Sequence, residues 1–292
     1  MSDASGPLSG QTVLVPRPIG RAEPIVRALE DRGAQAVVMP LIDFERVQDC
    51  EEFTSAMRYL HSGEFQWLLV TSATTVAALL DWCRSQALSL REFIPESTKI
   101  AAVGKSTAAA LQALGREADF ISSRKQSAHG LGEDFPTPTG VAHSVLLPQS
   151  DLADRDLVEA LLDKGWQVAQ VTAYRTVDFP ADPERRLPLG AERSSNGAEW
   201  SASQLPLIIR DADTVLYALM LAPSVARKFI EAAGARIGSV RLVAIGERTA
   251  REIEKTGHRV FATAAEPTVE AMMAALEESA SPGLGHGKSV KA

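Results

Sequence analysis

The residues of this chain whose types and spacing could do chemistry gather where apolar runs give way to Gly, Ser and Thr. Two glycine turns are the clearest case. IAAVGKSTAAALQALG (100–115) and LVAIGERTAREIEKTG (242–257) share one grammar, an apolar strand, a glycine turn, a helix and a closing glycine. Gly104 aligns with Gly246, Thr107 with Thr249, and Gly115 with Gly257. A glycine turn that opens a helix leaves backbone N–H groups free. With Lys105, Ser106 and Thr107 beside them, such ends suit a carboxylate or phosphate. Ordinary N-capping explains the same hydroxyls. VGKST (103–107) is not a Walker loop, because that pattern needs a glycine where Lys99 stands.

WLLVTSATTVAALLDW (67–82) is another strand running into a helix, and Thr71, Ser72, Thr74 and Thr75 crowd its junction. One or two hydroxyls would serve as caps; the rest make a polar rim fit to face a ligand. The corresponding stretch further along, Leu221-Ala222-Pro223-Ser224, keeps a single hydroxyl on Ser224. Arg17, in PRPIGR, follows an apolar run and is placed to pair with an acid group, or to lie on the surface as Arg21 is expected to do. At the matching place in the second half, Gln149, Ser150 and Asp151 offer hydrogen bonds without positive charge. Tyr174, one of three tyrosines, is expected to end a strand near the middle of the chain. Its phenol suits packing, or proton donation into a cleft.

Other chemistries lack their residues. The five histidines have no metal-ligand spacing, no GxGxxG follows a strand, and there is no GxSxG elbow. Without a nucleophile–base pair, an enzyme built this way would work mainly by positioning a reactive substrate.

The elements that must carry these residues repeat. VLVPRPIGRAEPIVRALEDRGAQAVV (13–38) is matched by VLLPQSDLADRDLVEALLDKGWQVAQ (145–170), Val13 pairing with Val145, Leu29 with Leu161 and Gly33 with Gly165. Alternating strands and amphipathic helices predict an α/β protein with parallel sheets covered on both faces. Ligands of such sheets sit at the carboxyl ends of the strands, so a cleft between the two copies is the expected site. A chain of 292 residues accommodates two domains of about 130 residues each. Residues 1–10, the tail 279–292 and the Pro- and Ser-rich stretch 178–206 read as loop or disordered segments.

A formal charge of −7 argues against general nucleic-acid binding. The N-terminus lacks a secretory pattern, and the longest apolar run, VLYALMLA (215–222), is too short to span a bilayer. Cys50 and Cys83 form no CxxC, which suits a reducing, cytoplasmic setting.

Taken together, VLVPRP, MPLIDFE, VTSATTV, AAVGKSTAAAL, VLLPQSDLADRDLVEALLDKG, VTAYRTV, VAIGERTAREIEKTG and EPTVEAMMAAL resemble the uroporphyrinogen-III synthase family over about residues 12–278. Each motif is degenerate alone; their order and spacing make the match. The resemblance implies two flavodoxin-like domains joined by a two-stranded β-ladder hinge. One would comprise residues 1–42 plus 176–280 and the other 43–175, with 281–292 a disordered tail and the chain crossing near Pro40–Glu45 and Tyr174–Asp178. It also implies conversion of hydroxymethylbilane to uroporphyrinogen III. Loss of a hydroxyl as water gives an azafulvene, and closure through a spiro intermediate inverts the last pyrrole. No metal or organic cofactor is implied. The expected partner is this small-molecule substrate alone, bound by a monomer without membrane or nucleic acid. By position, Tyr174 matches the tyrosine that assists departure of the hydroxyl. Thr107 and Thr249 match the threonines of the glycine turns, and Ser72 and Thr74 the edge of the cleft. The family often carries a TSPS-like edge where this chain has 221–224, leaving Ser224 there, while Arg248 replaces a commonly small residue and adds positive charge. Two rivals share the grammar. One is a non-catalytic sensor that binds a tetrapyrrole or another polyanion, and the other a hinged sugar- or amino-acid-binding protein.

Overall fold

The computed structural model describes residues 6–48, 50–122, 128–139, 143–189, 200, 202–210 and 215–280. Contacts divide the chain into two units. The first takes Met1–Asp43, Asp178–Pro180 and Ala191–Ala292, and the second Phe44–Val177 and Ala181–Gly190.

In the first unit, β1 (Thr12–Val15), α1 (Ile19–Glu30) and β2 (Gln35–Val38) come from the N-terminal segment. The C-terminal segment adds α8 (Leu205–Arg210), β9 (Leu216–Met220), α9 (Pro223–Ala233), β10 (Val240–Ala244), α10 (Glu247–Lys255), β11 (Val260–Thr263) and α11 (Val269–Ala280). The strands form one parallel sheet in the order β11-β10-β9-β1-β2. LYALM in β9 is buried at every position, as a central parallel strand covered on both faces must be. Successive side chains split between two cores. Leu14, Ala218 and Leu242 pack with Val225 and Phe229 of α9 and Ile253 of α10. On the other face Val13, Val15, Tyr217 and Val243 pack with Ile25 and Leu29 of α1 and Met273 and Leu276 of α11.

The second unit runs through β3 (Ile42–Arg46), whose first two residues belong to the first unit, α2 (Glu51–His61), β4 (Trp67–Val70), α3 (Ala73–Ser85), α4 (Leu90–Phe93), β5 (Lys99–Ala102) and α5 (Lys105–Gln112). It continues with β6 (Phe120–Ile121), α6 (Ala128–Asp134), β7 (Ser144–Ser150), α7 (Asp156–Asp163) and β8 (Gln167–Asp178). Its six-stranded sheet has the order β3-β8-β7-β4-β5-β6. Leu68, Val70, Ile100 and Leu146 face α2, α3 and α5, whereas Trp67, Leu69, Val145 and Leu147 face α6 and α7.

Read from β2, the first sheet has the flavodoxin-like order in which the first strand lies inside the second and the chain then proceeds outward. The second sheet repeats that order once β7 is set against β1, β8 against β2, β4 against β9 and β5 against β10. These are the pairings that the sequence repeat specifies. The two sheets share a spatial arrangement, and the chain enters it at different points.

Two expectations change. Tyr174 does not end its strand, because β8 continues to Asp178. A bulge where Ser150 pairs with Tyr174 resets the register, and Asp151 N–H then donates to the Tyr174 carbonyl at 3.1 Å. Where it is described, at 178–189 and 202–206, the stretch 178–206 is also more than a loop. Arg46 N–H donates to the Arg185 carbonyl at 2.9 Å and Leu187 N–H to the Phe44 carbonyl at 2.8 Å, which ties 185–187 antiparallel to β3. Leu187 is buried, Ala202–Gln204 form a 3₁₀ turn, and α8 starts at Leu205. Short segments held by one buried side chain show no periodicity from which to read them. The tail 281–292 and residues 190–199 lie outside the described residues.

Candidate active site

In each sheet the helices change faces at one point. α1 and α9 follow the neighbouring strands β1 and β9 yet pack on opposite faces, and α7 and α3 do the same after β7 and β4. Helix N-termini diverge there and leave a crevice at the carboxyl ends of the strands.

In the second unit this edge carries a cluster of hydroxyls. Ser72 is the N-cap of α3, and its Oγ accepts the Thr75 N–H at 3.0 Å. Capping fixes the serine, whose Oγ lies 3.0 Å from Thr75 Oγ1 and 3.3 Å from the Tyr174 hydroxyl. The bulge in β8 turns Tyr174 onto this face, and its ring meets Phe44 edge-on with centroids 5.5 Å apart. From the β7 side, Ser150 Oγ donates to Asp151 Oδ1 at 3.0 Å and lies 3.0 Å from Thr176 Oγ1. Asp151 Oδ1 also accepts the Thr176 N–H at 2.9 Å.

Tyr174 is 7% exposed, and burial is the main cause that pushes its phenol above the ordinary tyrosine value. The Asp151 carboxylate pushes the same way, while hydrogen bonds from Ser72, Thr75 and Ser150 oppose it. The outcome is a phenol that keeps its proton through the neutral range and can donate it.

The remaining predicted residues fall into distinct settings. At the end of β5, Gly104 is the N-cap of α5 with no side-chain cap, and Lys105 and Ser106 are exposed behind it. Gly246 repeats that geometry at α10, with Arg248 exposed on the first turn. Both glycines have φ near 180°, extended backbone open to any residue, and a Cβ added to Gly246 would meet nothing within 4 Å. Thr107 and Thr249 are each 2% exposed, and Thr74 is likewise buried. These hydroxyls therefore sit within their helix–sheet packing rather than at its surface. Gln149 is also buried, and its Oε1 accepts from Gln170 Nε2 at 3.2 Å. Thr71 and Ser224 are half-buried at their junctions, but Ala222 holds the N-cap of α9 without a side-chain bond where Ser72 holds that of α3. Arg17 is half-buried just beyond β1; desolvation first and Arg21 second lower its pKa, an effect that leaves a guanidinium charged.

The structure thus joins Ser72, Thr75, Ser150, Asp151 and Tyr174, and adds Thr176 and Phe44 around them. Thr176 lies two residues beyond Tyr174 on one strand, a spacing that marks a shared face. Phe44 gives no comparable signal. No group of three or more His, Cys, Asp or Glu that could hold a metal occurs among the described residues, and no helix there is long and apolar enough to cross a membrane.

Two parallel sheets of one spatial order, cyclically permuted along the chain and bearing a buried tyrosine among hydroxyls at a strand-end crevice, define a duplicated flavodoxin-like α/β class. Within that class the chain belongs to the uroporphyrinogen-III synthase family, whose model, described as uroporphyrinogen-III synthase HemD, matches residues 23–274. It is 28% identical over 276 residues to a uroporphyrinogen-III synthase of Synechococcus elongatus, covering 94% of this chain and 97% of that one. It is 24% identical to one of Chlorobaculum parvum, over 86% of this chain and 91% of that one. Among solved structures, a mutant uroporphyrinogen III synthase of Thermus thermophilus superposes with a TM-score of 0.59 at 19% identity, covering 92% of this chain and 98% of that one. The Helicobacter pylori uroporphyrinogen-III synthetase gives 0.53 at 15% identity, covering 90% and 97%. These two likenesses bear on the fold.

Proposed function

We propose that this chain cyclises hydroxymethylbilane to uroporphyrinogen III, with Tyr174 as the acid that assists departure of the terminal hydroxyl. The observation that carries the proposal is a buried phenol, held protonated and bonded to Ser72, at the switch-point edge of a chain in this family. In the first step the C–O bond of the hydroxymethyl group breaks. Its electron pair leaves with the hydroxyl, and the Tyr174 proton completes a molecule of water. The pyrrole nitrogen lone pair is drawn onto the exocyclic carbon, and loss of the N–H proton gives the azafulvene and restores the phenol. Ring closure through the spiro intermediate then depends on holding the two ends of the bilane together.

The substrate carries many carboxylates, and the helix N-termini supply matching donors. The glycine N-caps Gly104 and Gly246, neither with a side-chain cap, together with exposed Lys105, Ser106 and Arg248, suit carboxylate binding, as does Arg17. Thr71, Ser150 and Ser224 add hydroxyls at neighbouring strand ends. Local donors of this kind outweigh a net charge of −7 spread over the surface. The proposal includes a cytoplasmic monomer that needs no nucleic-acid partner. The altered edge at 221–224, the feature that would favour a non-catalytic sensor, belongs to the first unit and leaves the tyrosine cluster of the second intact.

Tyr174→Phe tests the proposal. We expect kcat for uroporphyrinogen III to fall about 10²-fold, the lower end of what a general acid contributes, with an unchanged melting temperature. A fully active variant would remove Tyr174 from the chemistry.

A further inference from the structure

We infer that Ser72 and Thr75 are positioning residues that receive the charge left on Tyr174 when its proton departs. The inference rests on the reading of Tyr174 as the acid. An acid in a buried site must be solvated twice, first as neutral phenol and then as phenolate, and no single static environment suits both. Burial and Asp151 favour the neutral form, so the charged form needs donors already in place.

The geometry supplies them. Ser72 Oγ lies 3.0 Å from Thr75 Oγ1 and 3.3 Å from the Tyr174 hydroxyl, and Thr75 joins Ser72 in hydrogen bonding that favours the charged phenol. The Thr75 N–H already occupies one lone pair of Ser72 Oγ, which biases the serine to spend its own proton as a donor. Both hydroxyls turn toward a newly charged oxygen by rotation about one C–O bond each, and no heavy atom has to move. Neither residue is loose, since Thr75 is fully buried in the first turn of α3 and Ser72 is held by its capping bond. Ser72 also places the phenol at the N-terminus of a helix of 13 residues, where the dipole favours negative charge. Preset donors aimed at developing charge lower a barrier without reorganisation.

The test is a set of steady-state measurements with hydroxymethylbilane in two backgrounds. Ser72→Ala and Thr75→Val should each lower kcat about tenfold with KM unchanged, the size expected for one hydrogen bond to a charged group. Ser72→Thr and Thr75→Ser, which keep the hydroxyl, should restore most of the rate. In the Tyr174→Phe background, which has no phenolate to stabilise, Ser72→Ala should have no further effect. Ser72→Gly removes the hydroxyl yet keeps a residue tolerated at N-caps, so it should show the same kcat loss if folding is not the cause. An undiminished kcat, a change in KM alone, or a loss that persists in the Tyr174→Phe background would overturn the inference. If Tyr174→Phe alone keeps full kcat, the reading of Tyr174 fails, a different result from an independent Ser72 effect.

Discussion

Tyr174 stands out among the residues because its surroundings pull its acidity in opposite directions. Burial and Asp151 raise the pKa, and the nearby hydroxyls lower it. A raised value means the proton is retained as pH rises, so donation fails only above the ordinary tyrosine range near 10. Asp151→Asn keeps an acceptor for the Thr176 N–H while removing the charge, and should therefore move the alkaline limb of the kcat profile to lower pH. A limb that stays in place or moves upward would contradict the coupling. Gly246 offers a second test at this scale. Its backbone is extended and a Cβ there meets nothing, so neither strain nor a clash requires glycine. Gly246→Ala should cost no more than about 1 kcal/mol, the disadvantage of alanine at an N-cap, yet raise KM by blocking approach to the helix N-terminus. Thermal melts and saturation curves separate the two effects. Ser72 was legible in sequence because a polar residue just after an apolar strand stands out, whereas Tyr174, which lies inside β8, was singled out by the scarcity of tyrosines and by the family resemblance. Their mutual contact was not legible, since the residues lie far apart in the chain and meet only through strand order and a bulge.

The elements show how duplication has been used unevenly. β4–α3 and β9–α9 occupy equivalent places, and their N-cap residues have almost the same backbone angles. Ser72 caps one helix, whereas Ala222 leaves the other uncapped. Ala222→Ser should consequently stabilise the protein by about 1 kcal/mol, read as a rise in Tm, if the serine reproduces the bond made by Ser72. An unchanged or lower Tm would show that Pro223 and its neighbours already satisfy that helix end. The strand–helix pairs around Gly104 and Gly246 were plain from apolar runs and glycine punctuation. The strapping of 185–187 along β3 was hidden, because a backbone ladder leaves no trace in side-chain pattern. Thr107 and Thr249 show the opposite limit. Their position after a glycine turn suggested donors at a surface, but the third residue of a helix also points toward the sheet, and both are buried.

At the scale of the whole molecule, one arrangement of five parallel strands has been built twice, with the chain entering at β1 in one unit and at β4 in the other. The repeat of 13–38 in 145–170 was visible in sequence, as was the parallel α/β class. Where one unit stops was not visible from periodicity, because a cyclic permutation keeps every local strand–helix pair and changes only which pairs share a sheet. The chain belongs to the uroporphyrinogen-III synthase family, and the account stands on one reaction. The most direct measurement is to incubate the protein with freshly prepared hydroxymethylbilane, oxidise the products and separate the isomers. The account predicts uroporphyrin III in excess of the spontaneous product, formed in proportion to enzyme. Uroporphyrin I alone, at the rate of the uncatalysed control, would contradict it.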